Sequence, residues 1–267
     1  MAQRTLQAVT FLAPNMLPVY RFMMEHLGGK LGCPITLSVG SDYAELLHAD
    51  LALICGLPYV QYTRPHYAVS PIEALAAPVL TGDRFQHRPI YYSDVIVHRD
   101  SPFQSFADLR GCSWAYNEPE SQSGYGITRY RLAQMGETNG YFGKVVQSGF
   151  HQQSIRKVSH REVDASAIDA QVLAVELRDH PRLAAQLRVI DSLGPSTIQP
   201  LAAASRLPEP LKRDIRAILA DMHRDPAARA VLDRGLIDHF APVSDADYDD
   251  IRAMLAYCER VDFLTLK

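Results

Sequence analysis

Small polar residues occupy Ser121–Gly126, and apolar residues follow them at helical spacing between Ile127 and Met135. The pattern predicts the N-terminus of a helix. The first turn of a helix leaves backbone N–H groups unpaired and carries about half a positive charge, so the hydroxyls of Ser121 and Ser123 and the nearby amides could bind an anion. Gly124 would let a ligand approach the backbone closely. The alternative is that one of the serines only caps the helix.

A second strand-to-helix turn carries a histidine. Residues 144–149 are typical of a strand, residues 150–155 start a helix, and His151 lies between them. An isolated histidine is often an ordinary polar residue, but at a helix start it could also bind an anion. Asp169 follows a strand expected at 165–168. It could accept a proton from a protonated oxygen or an amine of a ligand, or it could cap the next helix.

The elements that must position these residues alternate between strand and helix. Strands are expected at 5–12, 35–39 and 51–55, with a helix over 18–27 that ends at Gly28-Gly29. A second series begins with the strand at 90–97. Alternation of this kind is typical of doubly wound α/β folds. After residue 202 the apolar spacing is helical, and we expect these helices to pack on the first lobe.

Composition limits the classes of function. The 267 residues include 47% hydrophobic and 21% charged residues with a formal net charge of −3, which gives no general attraction to nucleic acid or anionic membrane. No apolar run reaches the roughly 18 residues that span a bilayer. The four cysteines and ten histidines show no metal-ligand spacing, and no common catalytic motif is present. We therefore expect no catalytic residue, no metal and no cofactor. Glu118 and Glu120 are expected to be solvated turn residues.

Several segments together resemble a known family. They are the strand Tyr91–Val97, the Phe-Ala-Asp-Leu-Arg-Gly run at 106–111, the Pro-x-Ser-x-Ser-Gly turn, Gly149-Phe150-His151 and Val163-Asp164-Ala165. In order and spacing, over about residues 5 to 205, the chain resembles the phosphate-, phosphite- and phosphonate-binding proteins of ABC transporters. The family usually has Ser-Thr-Ser-Gly in the turn, whereas this chain has Gln122 at the second position.

The resemblance implies a periplasmic-binding-protein fold of the second type, an α/β fold with two doubly wound lobes. Lobe one is expected at 1–88 plus 193–267 and lobe two at 89–192. Two connections between the lobes would form a two-strand hinge with a ligand cleft. Tyr43 and Tyr92 match segments in which the family has ligand-contacting tyrosines, although either could simply pack. The predicted ligand-binding residues are Tyr43, Tyr92, Ser121, Gln122, Ser123, Gly124, Tyr125, His151 and Asp169.

The implied function is capture of phosphate, phosphite or a phosphonate for an ABC permease. The alternatives are a cytoplasmic enzyme on the same fold, of the menaquinone-pathway or pyrimidine-precursor type, and a soluble ligand sensor. Residues 1–12 lack the features of an export leader. The location is therefore expected to be periplasmic if a leader has been removed, and cytoplasmic otherwise. No nucleic acid partner and no membrane span are expected.

Overall fold

Strands in the computed structural model, which describes residues 5–63 and 70–267, form two sheets. Numbered in chain order, the strands are β1 (Leu6–Thr10), β2 (Ile35–Val39), β3 (Leu51–Leu53), β4 (Ile72–Leu80), β5 (Ile90–His98), β6 (Ser113–Tyr116), β7 (Lys144–Gln147), β8 (Ala165–Asp169), β9 (Leu187–Thr197), β10 (Leu201–Ala204) and β11 (Ile237–Pro242).

The helices lie between these strands and after them. They are α1 (Leu17–Leu31), α2 (Gly56–Tyr62), α3 (Ile127–Gln134), α4 (His151–Ser159), α5 (Ala170–Asp179), α6 (Pro181–Ala184), α7 (Glu209–Asp221), α8 (Pro226–Arg234) and α9 (Asp249–Arg260). Short 3₁₀ turns occur at Pro14–Met16, Tyr43–Leu47, Asp83–Phe85, Phe106–Leu109, Met222–Arg224 and Asp245–Tyr248. No helix within the described ranges is both long and apolar enough to cross a membrane.

The first compact unit comprises the described part of Met1–Ile90 together with Thr197–Asp249. Its sheet has the order β11-β4-β10-β3-β1-β2. β1 runs parallel to β2 and β3, whereas β10 is antiparallel to β3 and β4. The core of this unit includes two buried tyrosines, Tyr59 and Tyr248, whose ring centroids lie 4.6 Å apart. Their hydroxyls bond to Asp245 and to the carbonyl of Ile198, so the buried polar groups are paired.

The second unit comprises Tyr91–Ser196 and Asp250–Lys267. Its sheet has the order β7-β6-β8-β5-β9. β6 is parallel to β7 and β8, and β5 is antiparallel to β8. Trp114 is fully buried and stacks on Phe142 at 4.6 Å between ring centroids. Aromatic stacking of this kind stabilises the core beyond the burial of area alone.

The fold class is confirmed as α/β with two sheet-bearing units, but several boundaries differ from the sequence prediction. α1 does not end at Gly28; it continues to Leu31 and ends at Gly32, which has φ +62°. Close packing favours glycine at position 28 inside the helix, because a Cβ there would lie only 3.1 Å from the carbonyl oxygen of Cys33. The prediction of helices alone after residue 202 is wrong, since β11 pairs with β4 at the edge of the first sheet. The predicted strand start at residue 5 lies just outside β1.

The C-terminal segment belongs to the second unit, whereas the sequence analysis assigned it to lobe one. Phe263 and Leu266 are buried in the same cluster as Trp114 and Tyr125. Arg129 of α3 donates to the carbonyls of Phe263 and Leu264. An apolar stripe on a helix shows that one face is buried but does not identify the surface that buries it. The chain therefore passes between the units at Asp249–Asp250 as well as at Ile90–Tyr91 and Ser196–Thr197.

This packing makes Phe263→Ala a test of the second core. The side chain is 0% exposed, so its loss is expected to cost about 3 to 5 kcal/mol of unfolding free energy. The matched control is Leu264→Ala, which removes a 54% exposed side chain and should change stability by less than about 0.5 kcal/mol. Hydrogen exchange followed by mass spectrometry should show faster exchange in α3 for Phe263→Ala. Faster exchange confined to β3 and β10 would instead show that Phe263 packs on the first sheet, and would contradict the assignment of residues 250–267 to the second unit.

Candidate functional site

Most of the predicted site residues lie at one edge of the second sheet. β6, β7 and β8 are parallel, so their carboxyl ends meet there. β5 is antiparallel to β8 with Ser93 opposite Asp169, which brings the start of β5, including Tyr92, to the same edge. In open α/β sheets ligands bind beyond the carboxyl ends of the strands. The topology therefore brings together residues that are about 75 positions apart in the chain.

The turn between β6 and α3 is one turn of π-helix, Gln122–Gly126, which we call the anion turn. Ser121 caps it: its Oγ accepts a hydrogen bond from the Gly124 amide at 3.0 Å, and its carbonyl accepts one from the Gly126 amide at 2.9 Å. The predicted helix start is confirmed, but its first turn is wider than an α-helical turn. π-turns are frequent at functional sites because they change the direction of side chains.

Two hydroxyls and an imidazole form a buried chain at this turn. The Ser121 and Ser123 Oγ atoms are 3.3 Å apart, and Ser123 Oγ lies 2.8 Å from His151 Nε2. Ser123 is 4% exposed and His151 5% exposed. His151 is the first residue of α4, as the sequence predicts. Its Nδ1 atom is sealed from solvent and has no hydrogen-bond partner among residues 5–63 and 70–267.

Burial determines the charge of the imidazole. Desolvation lowers the pKa of His151 from 6.5 to about 4, because the charged form loses its hydration without gaining a carboxylate partner. The ring is therefore neutral at pH 7 and carries a single N–H. Serine hydroxyls, helix-start amides and a neutral imidazole make a site of uncharged donors.

The side-chain polar groups of Gln122 and Tyr125 bond to other residues of the second unit. Gln122 Nε2 lies 3.3 Å from both Ser196 Oγ and Met254 Sδ. The Tyr125 hydroxyl accepts from the Leu266 amide at 3.1 Å. These contacts are those of packing residues that fasten the anion turn to its surroundings. A ligand contact by either side chain remains a prediction.

The remaining predicted residues have separate environments. Asp169 caps α5 by accepting from the amides of Gln171 and Val172, which is the alternative role that the sequence analysis gave it. Tyr92 is half-buried near the start of β5. Tyr43 belongs to the first unit, where its ring stacks on Phe11 at 4.4 Å between centroids. The ligand-binding roles of Asp169, Tyr92 and Tyr43 stay predictions.

The sequence analysis missed polar residues beside the turn. Asn117, directly after β6, and Gln152, the second residue of α4, are both buried and have side-chain atoms without a hydrogen-bond partner in the part of the chain described. Glu118 is not the solvated residue expected, because burial and the neighbouring Glu120 raise its pKa to about 7. Their position in the sequence could have indicated a place in the site, because Asn117 and Glu118 immediately follow a buried strand.

The arrangement can hold a tetrahedral oxyanion through several neutral donors. Hydrogen bonds to a charged partner contribute about 1.5 to 3 kcal/mol each, so four or five can offset the entropy of association. The Ser123–His151 pair also has the separation of a nucleophile and its base. However, no carboxylate orients His151 within the described ranges, and a pKa near 4 makes it a weak base at neutral pH.

The fold is that of the periplasmic binding proteins of the second type. A solved phosphonate-transporter binding protein of Pseudomonas aeruginosa superposes with a TM-score of 0.82 at 18% identity, covering 97% of this chain and 88% of that one. PhnD1 from Prochlorococcus marinus, solved with methylphosphonate, also gives a TM-score of 0.82, at 16% identity over 97% of this chain and 99% of its own.

Sequence comparison gives the family. The chain is 23% identical over 257 residues to the phosphonates-binding periplasmic protein of Escherichia coli K12, covering 92% of this chain and 73% of that protein. The family model for phosphonate ABC transporter periplasmic substrate-binding proteins matches residues 10–248. The chain belongs to this family, and the resemblance stated from its motifs is confirmed.

The depressed histidine pKa predicts a pH dependence of stability. Between pH 6.5 and 4 the unfolded chain binds a proton at His151 that the folded chain does not bind, so folding stability falls as the pH falls. Relative to His151→Gln, the wild type should lose up to about 3 kcal/mol across this window. Urea denaturation at a series of pH values measures the difference. The control His160→Gln, at the exposed end of α4, should follow the wild type, and parallel curves for His151→Gln would contradict the burial.

Close packing around the anion turn predicts a second result. A Cβ added to Gly124 would stand 2.1 Å from Asn117 Oδ1, so Gly124→Ala should cost about 1 to 3 kcal/mol. Because the obstacle is one side chain, Asn117→Ala in the same protein should recover most of that loss. A double-mutant cycle followed by denaturation measures the coupling. Additive effects of the two substitutions would show that Gly124 is needed for another reason.

Proposed function

We propose that the chain is a solute-binding protein that captures a phosphate-like oxyanion or a phosphonate and delivers it to the permease of an ABC transporter. The observation that carries the proposal is the buried Ser121–Ser123–His151 chain at the start of the anion turn. Family membership and the similarity to a protein solved with methylphosphonate support this ligand class.

The donor set suits reversible capture. Each serine hydroxyl can turn toward an oxygen of the ligand without a change in covalent structure, and the neutral imidazole adds a donor without a permanent charge. Bonds of this size give micromolar or tighter binding, which corresponds to about 8 kcal/mol or more. A binding protein of this family works outside the cytoplasmic membrane, and we place this chain there as part of the proposal.

An enzyme on the same fold is the second candidate, because the Ser123–His151 distance of 2.8 Å would also suit a nucleophile and base. The unpartnered Nδ1 and the lowered pKa of His151 favour binding over catalysis. The two candidates differ in the fate of the ligand: a binding protein returns it unchanged, whereas an enzyme converts it.

The ligand class is tested by thermal melting with phosphate, phosphite and methylphosphonate. A ligand at a hundredfold excess over its Kd stabilises the folded state by about 2.7 kcal/mol, so at least one of the three should raise the Tm by several degrees. Ser123→Ala and His151→Ala should each weaken binding about tenfold or more in calorimetry. Ser159→Ala, which removes a buried hydroxyl at the far end of α4, is the matched control and should bind as the wild type does.

The same samples distinguish capture from catalysis. Phosphorus NMR of the ligand after long incubation with the wild type should show the starting compound only. Conversion that disappears in His151→Ala would overturn the binding role in favour of the enzyme. If none of the three compounds shifts the melting curve, phosphate-like oxyanions and phosphonates are excluded as ligands.

A further inference from the structure

Asn117 lies between the two turns that form the site. It directly follows β6, and its carbonyl accepts a hydrogen bond from the amide of Gly149 at 2.8 Å, two residues before His151. Gly149 has φ +96°, a conformation that glycine adopts without strain. The backbone of Asn117 therefore fixes the start of α4 relative to the end of β6.

The side chain of Asn117 lies against the anion turn. Its Oδ1 atom occupies the space beside the Gly124 Cα, since a Cβ there would be only 2.1 Å away. The residue is 8% exposed, and Oδ1 is sealed from solvent without a hydrogen-bond partner in the described ranges. The backbone N–H of Gly124 donates a hydrogen bond to the hydroxyl of Ser121. Gly124 therefore lies between the Asn117 carboxamide and the Ser121–Ser123–His151 chain.

A buried carboxamide oxygen without a partner in this place is costly to folding. A buried polar group without a partner costs about 1 to 3 kcal/mol, whereas an apolar side chain of similar shape would not carry that cost. A group that lowers stability at a binding site is commonly kept because the ligand needs it. The Oδ1 atom is held against Gly124, whereas Nδ2 makes no hydrogen bond with the described residues, so its N–H groups can donate to an anion.

We propose that Asn117 is a ligand contact of the anion turn and donates a hydrogen bond from its carboxamide to an oxygen of the bound oxyanion. The inference rests on the proposed function and adds one specificity-determining residue to it. As a neutral donor fixed between the two turns, Asn117 recognises the position of the oxygen and leaves the charge of the site unchanged.

Gln152 also has an unpartnered carboxamide within the described ranges, with both its oxygen and its nitrogen sealed from solvent. Asn117 is the residue whose contact with Gly124 places it at the anion turn. The inference is therefore limited to Asn117. Asn139 offers a matched control, because it is an exposed asparagine of the same unit whose Oδ1 accepts from the Lys267 amide far along the chain.

The test compares affinity with stability in Asn117→Leu and Asn117→Ala. Calorimetry with methylphosphonate should show Kd raised about tenfold or more in both variants, while urea denaturation without ligand should show Asn117→Leu as stable as the wild type or more stable. Asn117→Asp, which places a carboxylate against the oxyanion, should bind at least a hundredfold more weakly at pH 7.5. Asn139→Ala should keep the wild-type Kd.

Each outcome bears on one proposal. Wild-type affinity in Asn117→Ala and Asn117→Leu overturns the contact, even if both variants are less stable. Lower stability in Asn117→Leu without a change in Kd assigns Asn117 a packing role. If the wild type itself binds neither methylphosphonate, phosphite nor phosphate, the proposed function fails, and Asn117 has no oxyanion to contact.

Discussion

Burial keeps the imidazole of His151 neutral where it hydrogen-bonds to Ser123. Water is excluded from the ring, so the protonated form would lose its hydration with no carboxylate beside it to compensate. The uncharged ring then accepts from or donates to the hydroxyl at 2.8 Å. Because the imidazole starts α4 and the hydroxyl starts the turn before α3, one bond holds two helix N-termini together. The two helix N-termini, each with its partial positive charge, are therefore neighbours.

The surrounding sheet maintains this arrangement. Parallel β6, β7 and β8 end at a common edge, so the turns that follow them are neighbours however far apart they are in the chain. The π-turn gives the serines a different direction from that of an α-helical first turn, and Gly124 leaves space that Asn117 fills. Glycine is therefore needed at position 124 for packing.

The C-terminal segment also holds the anion turn in place. The Leu266 amide bonds to the hydroxyl of Tyr125, and the Arg129 guanidinium lies 4.9 Å over the Tyr125 ring while donating to the carbonyls of residues 263 and 264. A buried guanidinium is paired here with carbonyls and an aromatic face, which restrains the turn without placing a carboxylate near it. Residues distant in sequence thus restrain a turn whose local sequence is rich in glycine.

The sequence by itself determined the α/β class, the helix start at Ser121–Gly126 and the position of His151, because capping residues and apolar periodicity act over a few neighbouring residues. The family also followed from motifs in order along the chain. Only the tertiary structure decided that Tyr125 bonds to the C-terminal tail, that Asp250–Lys267 joins the second unit, and that Asn117 lies against Gly124. These contacts join segments that local patterns describe separately, and the depressed pKa of His151 arises from its burial in the folded chain.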